Sequence, residues 1–292
     1  MAKDRKHHFV PVCYLNRFKQ DDGHIHCYSK KRNNEYACGV DAVCELPYFY
    51  KITQESWWST FEIEKDFFCS NVESPLGPMI TNIEQSIKSS LANDSSIAKI
   101  ILNEETRRSI ASMIFIQFYR TPRFKNYYEG KKLIRQGISS VTHDFTKEEI
   151  LDPVLVHALS TYLNPHMLKK VVSYLVGGQW VFRYSDEKVF LTSDNPVVWI
   201  PLKGPQPERF TIGNIDESKC FLYYPITPNI VLEIFDKDTK GLPSDFDNLI
   251  IRAESERIAG LNLNTIINAD DIVILQDKDI NSYNIEVKLK II

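Results

Sequence analysis

The spacing of apolar residues changes at the pair Gly177-Gly178, and this change constrains the fold more than any other feature. Before the pair, apolar residues mostly recur at helical spacing; after it, short apolar runs rich in β-branched and aromatic residues alternate with turn residues. The sequence therefore predicts an α+β fold, with a helical first half after an N-terminal hairpin and an antiparallel-sheet-rich second half. We expect one domain of residues 1–292, with a sub-division near 177–178 as the alternative.

Local signals place the individual elements. Asn103 is a good N-cap for a helix that runs to about Tyr119 and ends before Pro122. The residues Pro75, Gly77 and Pro78 predict a break in the chain. Further predicted helices cover residues 60–69, 79–87, 131–138, 152–163, 167–175 and 245–263. Predicted strands cover residues 24–28, 179–184, 188–192, 221–224, 230–235 and 272–276, and the turn at 185–187 joins two of them in a hairpin.

The composition narrows the class of protein. Hydrophobic residues make up 43% and charged residues 25% of the chain, which is ordinary for a soluble globular protein. No apolar run is long enough to span a membrane. The net charge of −3 gives no overall basic field, although a local basic groove stays compatible with it. The chain has no Walker A loop and no Gly-x-Gly-x-x-Gly, so we expect no nucleotide cofactor.

Six cysteines lie mostly in the first quarter of the chain, and no two have Cys-x-x-Cys spacing. The charged N-terminus does not resemble a secretory leader, so we expect reduced thiols and a cytoplasmic location. The weaker alternative is a zinc site, which is disfavoured because structural zinc sites usually show tight ligand pairs. Its ligands would be Cys27, Cys38 and Cys44 with His24 or His26.

Residues 7–18, close to the N-terminus, combine two histidines with closely spaced apolar residues. The adjacent His7 and His8 lead into an apolar run that contains Pro11, and the run continues through Tyr14 to Phe18 with the spacing of one helical face. Side chains placed just before such an anchor are held firmly, as site residues must be. His8 is therefore a candidate catalytic residue, and His7 and Tyr14 are candidate substrate-binding residues.

Two polar residues end the helix that follows Asn103. Gln117 falls within its apolar stripe, and a polar group there must find partners. Arg120 comes three residues later, so both side chains would project from the C-terminal end of the helix. Arg120 would either neutralise the helix dipole and cap carbonyls or clamp an anionic substrate, and the sequence favours neither.

Carboxylates supply the remaining candidates. Asp194 ends a hydrophobic strand and precedes Asn195, so it would either form a structural Asx turn or sit where enzymes place catalytic carboxylates. Glu62, Glu64 and Glu84 lie on predicted helices and are candidate acids or metal ligands. Helical carboxylates are usually solvated, so each of these three receives little weight.

These residues lie in four blocks that together resemble the bacterial domain-of-unknown-function family 4238. The blocks are His7 to Phe18, Arg120-Thr121-Pro122-Arg123-Phe124, Thr192-Ser193-Asp194-Asn195-Pro196-Val197 and Tyr224-Pro225-Ile226-Thr227-Pro228. Val12 departs from the family, which often has glutamine there, and a ligand contacted by that glutamine would differ for this chain. The resemblance implies a compact bacterial protein linked to mobile elements or defence, and it supplies no activity.

The leading hypothesis is a metal-assisted or acid–base hydrolase, most plausibly a phosphodiesterase or nuclease. His8 would act as general base or metal ligand, and Asp194 would bind Mg²⁺ or Mn²⁺ or orient the histidine. Arg120 would steady a phosphate of a nucleic acid or other phosphate-containing substrate, while Gln117 and Asn195 position it. This hypothesis requires His8, Arg120 and Asp194 to converge in one pocket.

Two alternatives make different demands on the same residues. A non-catalytic binding, sensor or immunity module would leave them apart, each satisfied by local backbone. A structural partner protein would use the aromatic N-terminal region as an interface.

Overall fold

The computed structural model describes residues 6–52, 62–91, 97–129, 153–201, 220–239, 245–277 and 279–283. Its α-helices are α1 Val12–Leu15, α2 Ser74–Ser90, α3 Glu104–Tyr119, α4 Pro122–Glu129, α5 Pro153–Ser160, α6 Pro165–Gly177 and α7 Ser255–Asn268. A π-helix, Ile63–Glu73, runs directly into α2. Short 3-10 helices cover Asn16–Phe18, Val40–Ala42 and Ile280–Tyr283. The helix predicted over residues 131–138 lies outside the described residues.

The strands form three sheets. They are β1 Lys6–His8, β2 Ile25–Ser29, β3 Asn34–Cys38, β4 Glu45–Pro47, β5 Ile97–Lys99, β6 Gln179–Tyr184, β7 Thr192–Ser193, β8 Val198–Pro201, β9 Cys220–Thr227, β10 Ile230–Phe235, β11 Leu249–Arg252 and β12 Ile272–Leu275. The sheet orders are β1-β4, β3-β2-β12-β7 and β5-β11-β6-β10-β9-β8. Every pair is antiparallel except β6 with β11. The predicted α+β class is confirmed.

Several predicted elements are confirmed by their local signals. The Asn103 side chain accepts a hydrogen bond from the Thr106 backbone N–H and caps α3, which ends at Tyr119. In the N-terminal segment, α1 and the following 3-10 turn bury Tyr14 and Phe18 completely. Both cases depend on contacts close in sequence, which local patterns describe well.

The predicted hairpin of residues 179–184 and 188–192 is wrong. Strand β6 pairs with β10 along its whole length and with β11 on its other edge. The backbone N–H groups of Val189 and Phe190 donate instead to the carbonyl of Pro228, and β7 pairs with β12. Strand β10 has six residues and can form hydrogen bonds along the whole of β6. Pairing with this distant strand therefore replaces pairing with the adjacent residues 188–192.

Two other boundaries differ from the prediction. The helix expected over 245–263 is divided, because Leu249–Arg252 forms β11 between β5 and β6 and α7 begins only at Ser255. Ile250 is fully buried in that sheet, so tertiary packing overrides local helix propensity. Pro78 lies inside α2 instead of ending it, near the junction where the π-helix already shifts the hydrogen-bond pattern.

The largest buried hydrophobic cluster takes residues from both sides of the Gly177-Gly178 pair, including Phe115 of α3 and Trp180 of β6. Gly178 itself is required for close packing, since a Cβ at this position would lie 2.7 Å from the Phe235 carbonyl oxygen. The N-terminal segment enters the same cluster through Tyr14. This packing places residues 7–18 against the C-terminal end of α3.

Candidate functional site

Backbone contacts fix the N-terminal histidines in place. Strand β1 pairs with β4, with His7 opposite Leu46. Phe9, the first residue after β1, continues this pairing, because its backbone N–H donates to the Cys44 carbonyl at 3.0 Å. The His8 backbone N–H donates to Glu64 Oε1 at 3.2 Å. The contacts that hold His8 in the fold are therefore made by its backbone and not by its imidazole.

Arg120 is the buried centre of the site. It follows the last residue of α3 and its side chain has no exposed surface. Its Nη2 donates to the His8 carbonyl and, at 3.0 Å, to Glu73 Oε1, and it lies 4.0 Å from Glu64 Oε2. The guanidinium also lies 4.0 Å from the centre of the Phe68 ring. One cation thus joins the N-terminal strand to two carboxylates of the π-helix.

The two polar residues at the end of α3 hold consecutive carbonyls of the N-terminal segment. Gln117 Nε2 donates to the Phe9 carbonyl at 2.9 Å, next to the bond from Arg120 to His8. Both residues therefore cap carbonyls, as one alternative predicted, but the carbonyls belong to a distant segment. The Gln117 side chain is buried and has this structural partner, so its predicted role in substrate positioning gains no support.

Arg120 and two residues that it contacts each carry a buried polar atom without a hydrogen bond in the described part of the chain. Within the described part of the chain, His8 Nε2, Glu64 Oε2 and Arg120 Nη1 are buried and make no hydrogen bond. Buried polar atoms are nearly always hydrogen-bonded, so a cluster of exceptions indicates a place for a water or a ligand. His8 and Glu64 are only partly buried as residues, although these two side-chain atoms are buried.

The Glu64 carboxyl group has an unusual proton affinity. Burial raises its pKa to about 7, with Glu73 adding to the rise while Arg120 and the His8 backbone N–H oppose it. A carboxyl group with this pKa exists in both protonation states near neutral pH, which is what general acid–base catalysis requires. Sequence alone gave Glu64 little weight, because neither its burial nor its contact with Arg120 is visible in a helical pattern.

The raised pKa predicts a pH dependence of stability. Between pH 4.5 and about 7 the folded protein holds a proton that the unfolded chain releases, so the free energy of unfolding should fall as pH rises through this window. The fall attributable to Glu64 has an upper limit of about 3 kcal/mol. Urea denaturation at several pH values, with wild type and Glu64→Gln compared, measures it. Parallel pH profiles for the two proteins would contradict the assignment.

Asp194 belongs to a different set of contacts. Its carboxylate is 5% exposed and accepts the backbone N–H groups of Asp270, Asp271 and Ile272 at 2.7 to 2.9 Å. Within the described residues no hydrogen bond or ion pair joins it to His8 or Arg120. The structure thus joins Arg120 to the backbone carbonyl of His8, and the contacts of Asp194 are those of a residue that fixes the start of β12.

Replacing Asp194 with alanine should therefore cost stability. Three part-buried backbone donors would lose their acceptor, and we expect a loss of about 3 kcal/mol in the free energy of unfolding. Chemical denaturation measures the change, and Asp41→Ala, at an exposed carboxylate, provides a control. A variant as stable as wild type would show that the carboxylate is held for a reason other than structure.

Asn195 and Tyr14 also have structural surroundings. The Asn195 amide donates to the Asn268 carbonyl at 3.3 Å, and its Oδ1 is buried without a partner in the described part of the chain. The Tyr14 hydroxyl lies 2.6 Å from Thr192 Oγ1 and donates to the Pro225 carbonyl at 2.7 Å. Tyr14 is fully buried, which leaves no surface for the substrate contact predicted from its sequence position.

The four sequence blocks meet in space through these bonds. Tyr14 joins the first block to the third and fourth, and Arg120 joins the second block to the first. Arg123 and Asn195 both donate to the carbonyl of Asn268, which links the second and third blocks at the end of α7. The blocks therefore form one connected framework, with His7 and His8 at its edge.

The described residues also bear on metal and thiol chemistry. No three His, Cys, Asp or Glu side chains of the described residues are placed to hold a metal ion together, which includes the cysteines and histidines of the zinc alternative. The cysteines whose side chains are described are free thiols, namely Cys13, Cys27, Cys38, Cys44 and Cys69. No helix within the described ranges is long and apolar enough to cross a membrane.

Comparison with known proteins identifies a family. The model of a family described as "Protein of unknown function (DUF4238)" matches residues 6–279. No curated protein and no solved structure matches the chain. The matched region contains all four blocks and the whole cluster around Arg120.

Proposed function

We propose, for a chain that belongs to the family of unknown function DUF4238, an acid–base hydrolase that acts on phosphodiester bonds. One observation carries the proposal: Arg120 contacts both the His8 backbone and Glu64, whose side-chain atoms His8 Nε2 and Glu64 Oε2 make no hydrogen bond within the described residues, and the Glu64 carboxyl has a pKa of about 7. Two proton-transfer groups in one place can serve the two ends of a hydrolysis reaction.

The geometry suggests separate proton-transfer roles for His8 and Glu64. His8 Nε2 takes a proton from the attacking water, and the protonated Glu64 carboxyl gives a proton to the leaving oxygen as the phosphorus–oxygen bond breaks. The products are a phosphomonoester and an alcohol, so atoms and protons balance. Arg120 is a positioning residue, because it holds the His8 carbonyl and lies against Glu64 without surface of its own.

The site also has features that suit a phosphate group. The buried Arg120 adds positive charge to the site, which favours an anionic substrate, and its Nη1 makes no hydrogen bond within the described residues. Lys125 lies close by, with its Nζ 4.4 Å from the Phe49 ring, and adds positive charge beside His7. A nucleic acid is the proposed substrate class, and a role in defence or on mobile elements stays a prediction.

The runner-up is a non-catalytic binding, sensor or immunity module. Its support is that Gln117, Tyr14 and Asp194 have structural partners, although those partners are distant in sequence and not the local backbone that this alternative predicted for Asp194. The same framework would then serve only to hold a recognition surface. An assay of phosphodiester cleavage distinguishes the two proposals, because only the hydrolase should show activity.

A cleavage assay with fluorescent single- and double-stranded oligonucleotides tests the proposed function. Reactions in EDTA, Mg²⁺ and Mn²⁺ decide between the acid–base and the metal-assisted forms of the hydrolase. His8→Ala is the informative variant, because both structural bonds of His8 come from its backbone and should survive. We expect cleavage by wild type and its loss in His8→Ala. Equal cleavage by both proteins, or none by wild type in any condition, would overturn the proposal.

A further inference from the structure

The ring of His7 is held in one orientation by Tyr50. The Tyr50 backbone N–H donates to His7 Nδ1 at 2.9 Å, and the two rings are stacked with a centroid distance of 5.8 Å and an angle of 9°. His7 also lies in β1, opposite Leu46, so its backbone is fixed by a sheet partner. Both the position and the rotation of the imidazole are therefore determined.

This contact decides where the proton of His7 is. A backbone N–H can only donate, so Nδ1 must accept with its lone pair and carry no hydrogen. The neutral imidazole then carries its proton on Nε2, which makes Nε2 a donor. Within the described residues, Nε2 forms no hydrogen bond, and the side chain is only partly buried.

We infer that His7 is a fixed, uncharged hydrogen-bond donor that binds an oxygen of the ligand through Nε2–H and transfers no proton itself. The two adjacent histidines then have different tasks: His7 binds, and His8, whose ring nitrogen Nε2 is unpartnered, exchanges protons. The identity of the ligand as a phosphodiester rests on the proposed function, whereas the tautomer rests on the Tyr50 contact alone.

The tautomer can be observed without any activity. Long-range proton–nitrogen spectra of protein labelled with nitrogen-15 histidine distinguish protonated from unprotonated ring nitrogens, and His7→Asn identifies the His7 signals by their loss. At neutral pH we expect an unprotonated Nδ1 and a protonated Nε2. A protonated Nδ1, or signals averaged between the two tautomers, would overturn the inference.

Binding tests the donor. His7→Asn keeps an acceptor near the Nδ1 position for the Tyr50 N–H but loses the donor, whereas His7→Gln places an amide donor near the Nε2 position. With a fluorescent single-stranded oligonucleotide in EDTA, we expect Asn to weaken binding about 10-fold and Gln to stay closer to wild type. Equal affinity of His7→Asn and wild type would overturn the ligand contact. A wild type that binds no oligonucleotide would overturn the substrate class, while the spectra still decide the tautomer.

Discussion

Replacing Arg120 with methionine is expected to lower the free energy of unfolding by about 3–5 kcal/mol, the usual cost of removing one partner from a buried ion pair. The side chain is fully buried, and its loss leaves Glu73 and Glu64 facing each other without a cation. The carbonyl of His8 also loses its donor. Urea or thermal denaturation followed by circular dichroism measures the loss.

A matched control isolates the effect of burial. Arg108 pairs with Glu104 one helical turn away, but its side chain is 50% exposed, so Arg108→Met should change stability by less than about 0.5 kcal/mol. Adding Glu73→Gln to Arg120→Met should restore part of the loss, because an unpaired carboxylate is removed. If the Arg120 and Arg108 variants were equally stable, Arg120 would not be the centre of the framework.

Replacing Glu64 with glutamine is expected to lower the rate of phosphodiester cleavage by about 10²–10⁴-fold, the contribution typical of a general acid or base. Glutamine has nearly the same shape and keeps an oxygen for the His8 backbone N–H, so the framework should survive. The amide cannot donate or accept a proton as the carboxyl group does. Steady-state kinetics with the fluorescent oligonucleotide measure the change.

Glu84→Gln provides the matched control for this substitution. Glu84 is also partly buried and also pairs with an arginine, Arg17, at 3.0 Å, but it lies on α2 outside the cluster. Its variant should keep cleavage close to that of wild type. Comparable losses in both variants would mean that the effect of Glu64→Gln comes from general destabilisation.

Much of the fold could be predicted because its signals are local. The cap at Asn103, the apolar face from Tyr14 to Phe18 and the alternation in β2 each depend on residues close in sequence. The pairing of β6 with β10 and β11 could not be predicted, since strand pairing depends on which distant partner offers the better ladder and burial. Propensity alone also misassigned β11 as helix for this reason.

The site could be predicted in part, and the reason is again distance along the chain. His8 and Arg120 could be identified because each lies near a strong local sequence signal, Pro11 and Pro122 respectively. The structure shows that the Arg120 side chain donates to the His8 backbone carbonyl. It favoured Asp194, since a carboxylate at the end of a strand is a common catalytic position. Glu64 was undervalued because its burial and its raised pKa arise from its surroundings in the fold, where it contacts β1 and Arg120.

The pH dependence of kcat/KM for oligonucleotide cleavage by wild type and Glu64→Gln tests the central claim most directly. If protonated Glu64 is the general acid, kcat/KM of wild type should fall as pH rises above about 7, because the carboxyl group loses its proton there. The residual activity of Glu64→Gln should lack this fall. A decline near the same pH in both proteins, or a flat profile for wild type, would contradict the claim that proton transfer by Glu64 drives the reaction.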